Sequence, residues 1–105
     1  MTNRSQRKGN RAENDVVRWL RDFRGFKAER IRSGRSTDAG DITWPDSPWL
    51  LDVKNQARWH VPAWWRAARA EATVEGVKPL LVLKLDGETD PGRWLAVLEL
   101  RDVEL

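Results

Sequence analysis

The stretch that decides the fold runs from Gly40 to Lys54 and reads GDITWPDSPWLLDVK. Its middle, residues 45–48, consists of prolines and short polar residues, which are turn formers, so we predict a hairpin of two strands. Residues 49–53 are apolar except for Asp52, which is the pattern of a strand buried on both faces. An acid and then a lysine at the end of such a strand need a reason for leaving water.

A hard cation would supply that reason. Mg²⁺ prefers carboxylate and carbonyl oxygens and keeps several waters, so Asp41, Asp52 and the Val53 carbonyl could share one ion. Lys54 alternates with Asp52 on the same face of the strand, and its ammonium would then orient or help deprotonate a water beside the ion. The alternative is a surface hairpin on which Asp52 and Lys54 form an ordinary exposed pair.

Glu13 favours the metal site over the surface hairpin. It lies in a stretch from Asn10 to Phe23 whose apolar residues recur at helical spacing, with Val17 at i+4 on the same side as Glu13. A carboxylate that faces the core needs a partner, and a metal shared with Asp41 and Asp52 would be one. The alternative is a first-turn glutamate that stabilises the helix dipole and points to solvent.

In order along the chain, the motifs resemble the PD-(D/E)xK nucleases, and within them the archaeal-type Holliday-junction resolvases that some phages also carry. The motifs are Glu13 on an opening helix, Arg32-Ser33-Gly34 before a loop, Gly40-Asp41-Ile42 and Asp52-Val53-Lys54. The likeness covers the chain from about Lys8 to Leu85. It implies that Glu13, Asp41 and Asp52 bind the metal and that Lys54 is catalytic. It also implies that the scissile phosphate is handled by Arg32, Ser33 and Ser36.

Two residues depart from the resolvase pattern. Asp52 stands where the resolvases usually have glutamate, which shortens the reach to the ion. Asn14 stands where they often have a basic residue after the helix glutamate. The second departure makes junction specificity less certain than nuclease chemistry.

The order helix, three strands, helix, two strands predicts an α/β fold with a restriction-endonuclease-like core, in which helices flank a mixed sheet. We expect residues 1–8 to form a basic, flexible tail and residues 9–105 to form a single nuclease domain. The predicted helices are Asn10–Phe23 and Pro62–Glu75, and the predicted strands lie at about residues 27–32, 41–44, 49–54, 80–85 and 94–100.

Charge is unevenly distributed along the chain. Residues 1–35 hold eleven Lys or Arg and four acids, whereas the remainder holds eight Lys or Arg and twelve acids. Such asymmetry is typical of a protein that lays one basic face on phosphates, although a solvated helix face with a basic tail would have the same composition. The predicted DNA-binding residues are Arg4, Arg7, Lys8, Arg11, Arg32, Ser33, Arg35 and Ser36.

Composition excludes several other classes of protein. There is no cysteine, so thiolate catalysis is excluded, and with His60 as the single histidine we expect neither a zinc site nor a Ser-His-Asp triad. The basic N-terminal residues lack the apolar segment of a signal peptide, and no apolar run is long enough for a membrane span. We therefore expect a cytoplasmic protein with no membrane contact.

Seven tryptophans are many for 105 residues. Trp59, Trp64 and Trp65 cluster around the start of the second predicted helix, beside a run of alanines, and cannot all point at one core. We expect Trp64 and Trp65 to form the interface of a homodimer, because lone monomers rarely expose large apolar patches. The alternative is that one tryptophan stacks on an unpaired base.

These features predict a Mg²⁺-dependent endodeoxyribonuclease, with Mn²⁺ able to substitute, that resolves four-way DNA junctions as a homodimer. Two alternatives stay open. One is a PD-(D/E)xK nuclease that acts on nicked, flapped or linear duplex DNA. The other is a catalytically silent DNA-binding protein of the same fold.

Overall fold

The computed structural model describes residues 4–31 and 41–105, and for residues 4–7 and Asp41 it describes the backbone alone. Four of the predicted DNA-binding residues, Arg32, Ser33, Arg35 and Ser36, lie outside the described residues.

Helix α1 spans Arg4–Arg24 and begins six residues before the predicted start. The segment that we expected to be a flexible tail therefore enters the helix from residue 4 onwards. Arg, Gln and Lys are good helix formers, and adding residues to an existing helix costs much less than nucleating one. The helix ends before Gly25, whose φ of 70° is left-handed, as the sequence predicted.

In the part of the chain that the structure describes, five strands and a second helix follow α1. The strands are β1 (Glu29–Arg30), β2 (Asp41–Thr43), β3 (Trp49–Lys54), β4 (Lys78–Leu83) and β5 (Leu95–Val97), and helix α2 spans Val61–Glu75 between β3 and β4. They form one sheet in the order β1-β2-β3-β4-β5, in which only the β3–β4 pair is parallel. The predicted α/β class, element order and mixed sheet are confirmed.

Predicted boundaries are accurate for β3 but not for every strand. β4 was predicted at residues 80–85 and spans Lys78–Leu83, two residues earlier, and the edge strands are shorter than predicted. β3 has the predicted bounds, and α2 ends before a left-handed Gly76 as expected. β1 has two residues and β5 has three, because an edge strand pairs on one side only, so fewer of its residues are held in the ladder. Leu100, the last residue of the predicted final strand, instead begins a 3₁₀ turn over Leu100–Asp102.

The two faces of the sheet are covered by different helices. The apolar face of α1, with Val16, Val17 and Leu20, packs in one cluster with Leu51 and Val53 of β3. Side chains alternate along a strand, so Asp52 and Lys54 lie on the opposite face, on which α2 packs. No helix among the described residues has both the length and the apolar character needed to cross a membrane.

Candidate active site

The hairpin of β2 and β3 brings two predicted acids together. Its antiparallel register places Asp41 directly opposite Asp52. Directly opposed residues lie on the same face of a sheet, with their Cβ atoms about 5 Å apart. The turn between the strands includes Asp46 at φ 63°, a left-handed conformation that Asp tolerates better than most residues.

Asp52 is an ionisable group in an environment that opposes its charge. Its residue is 8% exposed, and burial is the main cause that raises the pKa of Asp52 to about 6. The charge of Lys54 lowers this pKa, while the charges of Glu71 on α2 and of Glu13 raise it further. The buried Oδ1 atom of Asp52 has no hydrogen-bond partner among the described residues, because Lys54 Nζ lies 3.7 Å away.

Glu13 is buried, as its place on the apolar side of α1 predicted, and it does not point to solvent. It is 6% exposed, and the Nε atom of Arg30 lies 2.8 Å from its Oε2 atom. The alignment of these atoms is poor for a hydrogen bond, so the contact is mainly an ion pair. Burial raises the pKa of Glu13, and the charges of Arg30 and Lys54 oppose that rise.

Lys54 lies between these acids and a tryptophan. Its side chain is largely buried, and its Nζ atom is 5.8 Å from the ring centroid of Trp64, close enough for a cation–π contact. His60, the residue before α2, meets the same ring edge-on. The ring of Trp64, which we expected at a dimer interface, thus lies beside the predicted catalytic lysine.

Trp65 points elsewhere on the surface. It lines a groove of about 750 Å³, together with Val61, Pro62, Val97, Leu98, Glu99, Leu100 and Arg101. The two neighbouring tryptophans therefore lie on different surfaces, although the sequence analysis assigned both to one dimer interface.

Three further residues near the acids were missed in the sequence. Arg30 of β1 contacts Glu13, and it donates hydrogen bonds to the side chains of Asn10 and Asn14. Asn14, one of the two departures from the resolvase pattern, is thus a partner of a basic residue. The spacing of residues 10, 13 and 14 places them on one face of α1, a signal that could have suggested a shared partner without identifying it.

The carboxylates fit a hard divalent cation. Glu13 Oε2 and Asp52 Oδ1 are buried oxygens without a well-aligned hydrogen bond, and carboxylate oxygens are preferred ligands of Mg²⁺. No three described acidic or histidine side chains form a metal-binding group. That observation does not test the predicted site of Glu13, Asp41 and Asp52, because the structure describes only the backbone of Asp41. The Val53 carbonyl also stays a predicted ligand.

The basic end of α1 lies beside this site. The side chain of Asn55, the residue after Lys54, donates a hydrogen bond of 3.2 Å to the Lys8 carbonyl. Lys8 and Arg11 are exposed, whereas Arg4 and Arg7 are described by their backbone positions in α1 alone. Two of the predicted DNA-binding side chains are therefore on an accessible surface next to the acids.

Comparison with known proteins identifies the family of the chain. The family described as "Phage putative PDDEXK endonuclease" matches residues 4–102. Neither the curated proteins nor the solved structures contain a match. The family match covers nearly all of the chain, including every motif on which the resemblance rested. The protein therefore belongs to the phage PDDEXK endonuclease family, whose nucleases generally use divalent metal ions to cut DNA.

Proposed function

We propose that the protein is a Mg²⁺-dependent, structure-specific endodeoxyribonuclease that hydrolyses phosphodiester bonds in four-way DNA junctions, acting as a homodimer. The observation that carries the proposal is the pair of buried carboxylate oxygens, on Glu13 and Asp52, that have no well-aligned hydrogen bond beside the ammonium of Lys54. Burying charged oxygens whose hydrogen bonds are incomplete costs free energy even beside a cation, and such perturbed carboxylates are typical of sites that bind a ligand.

Glu13, Asp41 and Asp52 would hold the metal, and Mn²⁺ would be able to replace Mg²⁺. When bound, the ion supplies charge stabilisation at the phosphate and a water of lowered pKa. Lys54 orients the attacking water and offsets negative charge on the phosphate oxygens. Its stem is buried and its ammonium is bounded by Asp52 and Trp64, so few other positions are open to it.

The exposed basic residues at the start of α1 would bind the DNA backbone. Lys8 and Arg11 are close in sequence to Glu13 on the same helix, and Asn55 fastens this part of α1 to the strand that carries Asp52. Arg4 and Arg7 extend the same basic segment. The phosphates of a DNA arm that extends from the site would contact these basic residues, which supply affinity without sequence preference.

The deciding experiment is cleavage of labelled four-way junctions, flaps, nicked duplexes and linear duplexes with Mg²⁺, Mn²⁺, Ca²⁺ or a chelator. We expect paired cuts in junctions with Mg²⁺ or Mn²⁺ and none with the chelator. Asp41→Asn and Asp52→Asn should abolish cleavage but keep DNA binding, and Lys54→Ala should lower the rate by about two orders of magnitude or more. Asp22→Asn, which changes an exposed acid at the far end of α1, is the matched control.

Each alternative has its own outcome in this assay. Cleavage of flaps or linear duplexes in preference to junctions would support a nuclease with another substrate. Binding without cleavage under any metal would support a silent DNA-binding protein. Full activity of Lys54→Ala would remove the assigned role of that lysine.

A two-fold dimer would match the two symmetric strands that a four-way junction offers for cutting. Trp65 and the apolar residues of its groove are the surface that we propose for the contact, since buried aromatic residues commonly anchor such interfaces. Leu100, in the same groove, is 82% exposed in the single chain. Trp65→Glu should give monomers in sedimentation at micromolar concentration, and a monomeric wild type would overturn this arrangement.

A further inference from the structure

Arg30 joins the edge of the sheet to three side chains of α1. Its Nε atom lies 2.8 Å from Glu13 Oε2, and its Nη2 and Nη1 atoms donate to the Oδ1 atoms of Asn10 at 3.0 Å and Asn14 at 3.4 Å. All three nitrogens of the guanidinium therefore face oxygens on one side of a single helix. The planar, rigid fork of arginine suits this arrangement, which the single ammonium of a lysine cannot reproduce.

The arrangement assigns different tasks to the three oxygens. Asn10 and Asn14 are neutral acceptors that fix the plane of the guanidinium from two sides. The positive charge of the guanidinium is therefore balanced by the Glu13 carboxylate, the only ionised partner among the described contacts of Arg30. A buried carboxylate without a cationic partner takes up a proton or turns towards water.

Glu13 is therefore held by its neighbour before any ligand arrives. Its side chain is 7% exposed, and that of Arg30 is 24% exposed, so the pair is screened from most of the solvent. Glu13 and Asp52 are also close enough for the charge of one to affect the other.

We propose that Arg30 is a positioning residue, whose contacts with Glu13, Asn10 and Asn14 hold the Glu13 carboxylate in a fixed place where it can share a divalent cation with Asp52. This inference rests on the metal site of the proposed function. Arg30 itself would touch neither the cation nor the DNA, and it would act through Glu13 alone. Partners of metal-binding carboxylates typically contribute 10- to 100-fold to metal affinity or activity.

The test is Mn²⁺ binding to the purified protein by calorimetry, without DNA. We expect Arg30→Ala to weaken Mn²⁺ binding by about 10-fold or more, and Arg30→Lys to be intermediate. In a Glu13→Gln background, Arg30→Ala should cause no further loss. In metal-free urea unfolding, the effects of Glu13→Gln and Arg30→Ala should be non-additive, because the two side chains are in contact.

Arg21→Ala is the matched control. Arg21 also extends from α1 to the chain beside β1, where its Nε atom donates to the Ala28 carbonyl at 2.8 Å, but it has no described contact with Glu13. It should lower stability and leave Mn²⁺ affinity unchanged. If Arg30→Ala does not fold, Arg30→Met keeps the apolar stem and replaces it in every measurement.

Three results would overturn the inference. They are wild-type Mn²⁺ affinity in Arg30→Ala, an equal loss in Arg21→Ala, and a further loss from Arg30→Ala in the Glu13→Gln background. The first would show no role for Arg30 at the metal, the second a general role in folding, and the third an action that bypasses Glu13. A wild type that binds no Mn²⁺ would overturn the proposed metal site as well, whereas each of the three results leaves that site standing.

Discussion

Removing the charge of Asp52 should stabilise the metal-free protein while it abolishes cleavage. Burial raises the pKa of Asp52 from its ordinary 3.8 to about 6, so the folded state disfavours the ionised carboxylate. Asp52→Asn keeps the size of the side chain and removes the charge. The expected gain in unfolding free energy therefore measures how much the ionised Asp52 destabilises the folded protein.

The size of the gain follows from the difference between the two pKa values. One pKa unit corresponds to 1.36 kcal/mol, so a difference of about two units corresponds to about 3 kcal/mol of unfolding free energy at high pH. For a domain of this size, with an m-value of about 1 to 3 kcal/mol/M in urea, the midpoint of unfolding should rise by between about 1 and 3 M.

The pH dependence of the gain has a definite sign. A group whose pKa is raised in the folded state binds its proton more tightly there. The stabilisation that the folded state gains by holding this proton on Asp52 is complete below pH 3.8 and is lost as the pH rises through about 6. Wild type and Asp52→Asn should therefore have similar stability near pH 4, and the variant should be more stable above about pH 7.

The assay is urea unfolding of both proteins from pH 4 to pH 8 with a chelator present, and Asp22→Asn serves as the exposed-acid control. Saturating Mg²⁺ at pH 8 should then stabilise the wild type, by about 2.7 kcal/mol at 100 times its dissociation constant, and should leave Asp52→Asn almost unchanged. Equal stability of the two proteins at pH 8, or a gain that persists undiminished at pH 4, would refute the reasoning.

Three further perturbations test other parts of the structure. Gly92→Ala should destabilise the protein by about 1 to 3 kcal/mol, because its Cβ would lie 2.8 Å from the indole Nε1 of Trp19; an unchanged melting temperature would contradict this. If Lys8 and Arg11 each neutralise one phosphate, replacing both with alanine should make the log-log salt slope of duplex binding shallower by about 1.8, whereas an unchanged slope in titrations from 50 to 200 mM salt would exclude them. Trp64→Leu should lower kcat by about 5- to 30-fold with little change in KM and Trp64→Phe should lose less, because the ring lies 5.8 Å from the ammonium of Lys54, the predicted catalytic group; equal single-turnover rates would show that the ring does not act on it.

Local chemistry accounts for what was predictable in the fold. The turn at residues 45–48 and the apolar run after it have the same preferences in any surroundings, so the bounds of β3 were predicted correctly. The helical spacing around Glu13 and the left-handed position of Gly76 are equally local signals. At the edges of the sheet, strand length depends on neighbouring strands, and there the predictions were wrong.

The sequence by itself determined the element order, the buried side of α1 and the hairpin that carries Asp41 and Asp52, because periodicity and turn chemistry act over a few residues. Only the tertiary structure decided which side chains meet these acids. Arg30 reaches Glu13 across 17 positions of the chain, and Trp64 reaches Lys54 from another element. Such contacts depend on how a helix is placed on a sheet, and no local pattern encodes that placement.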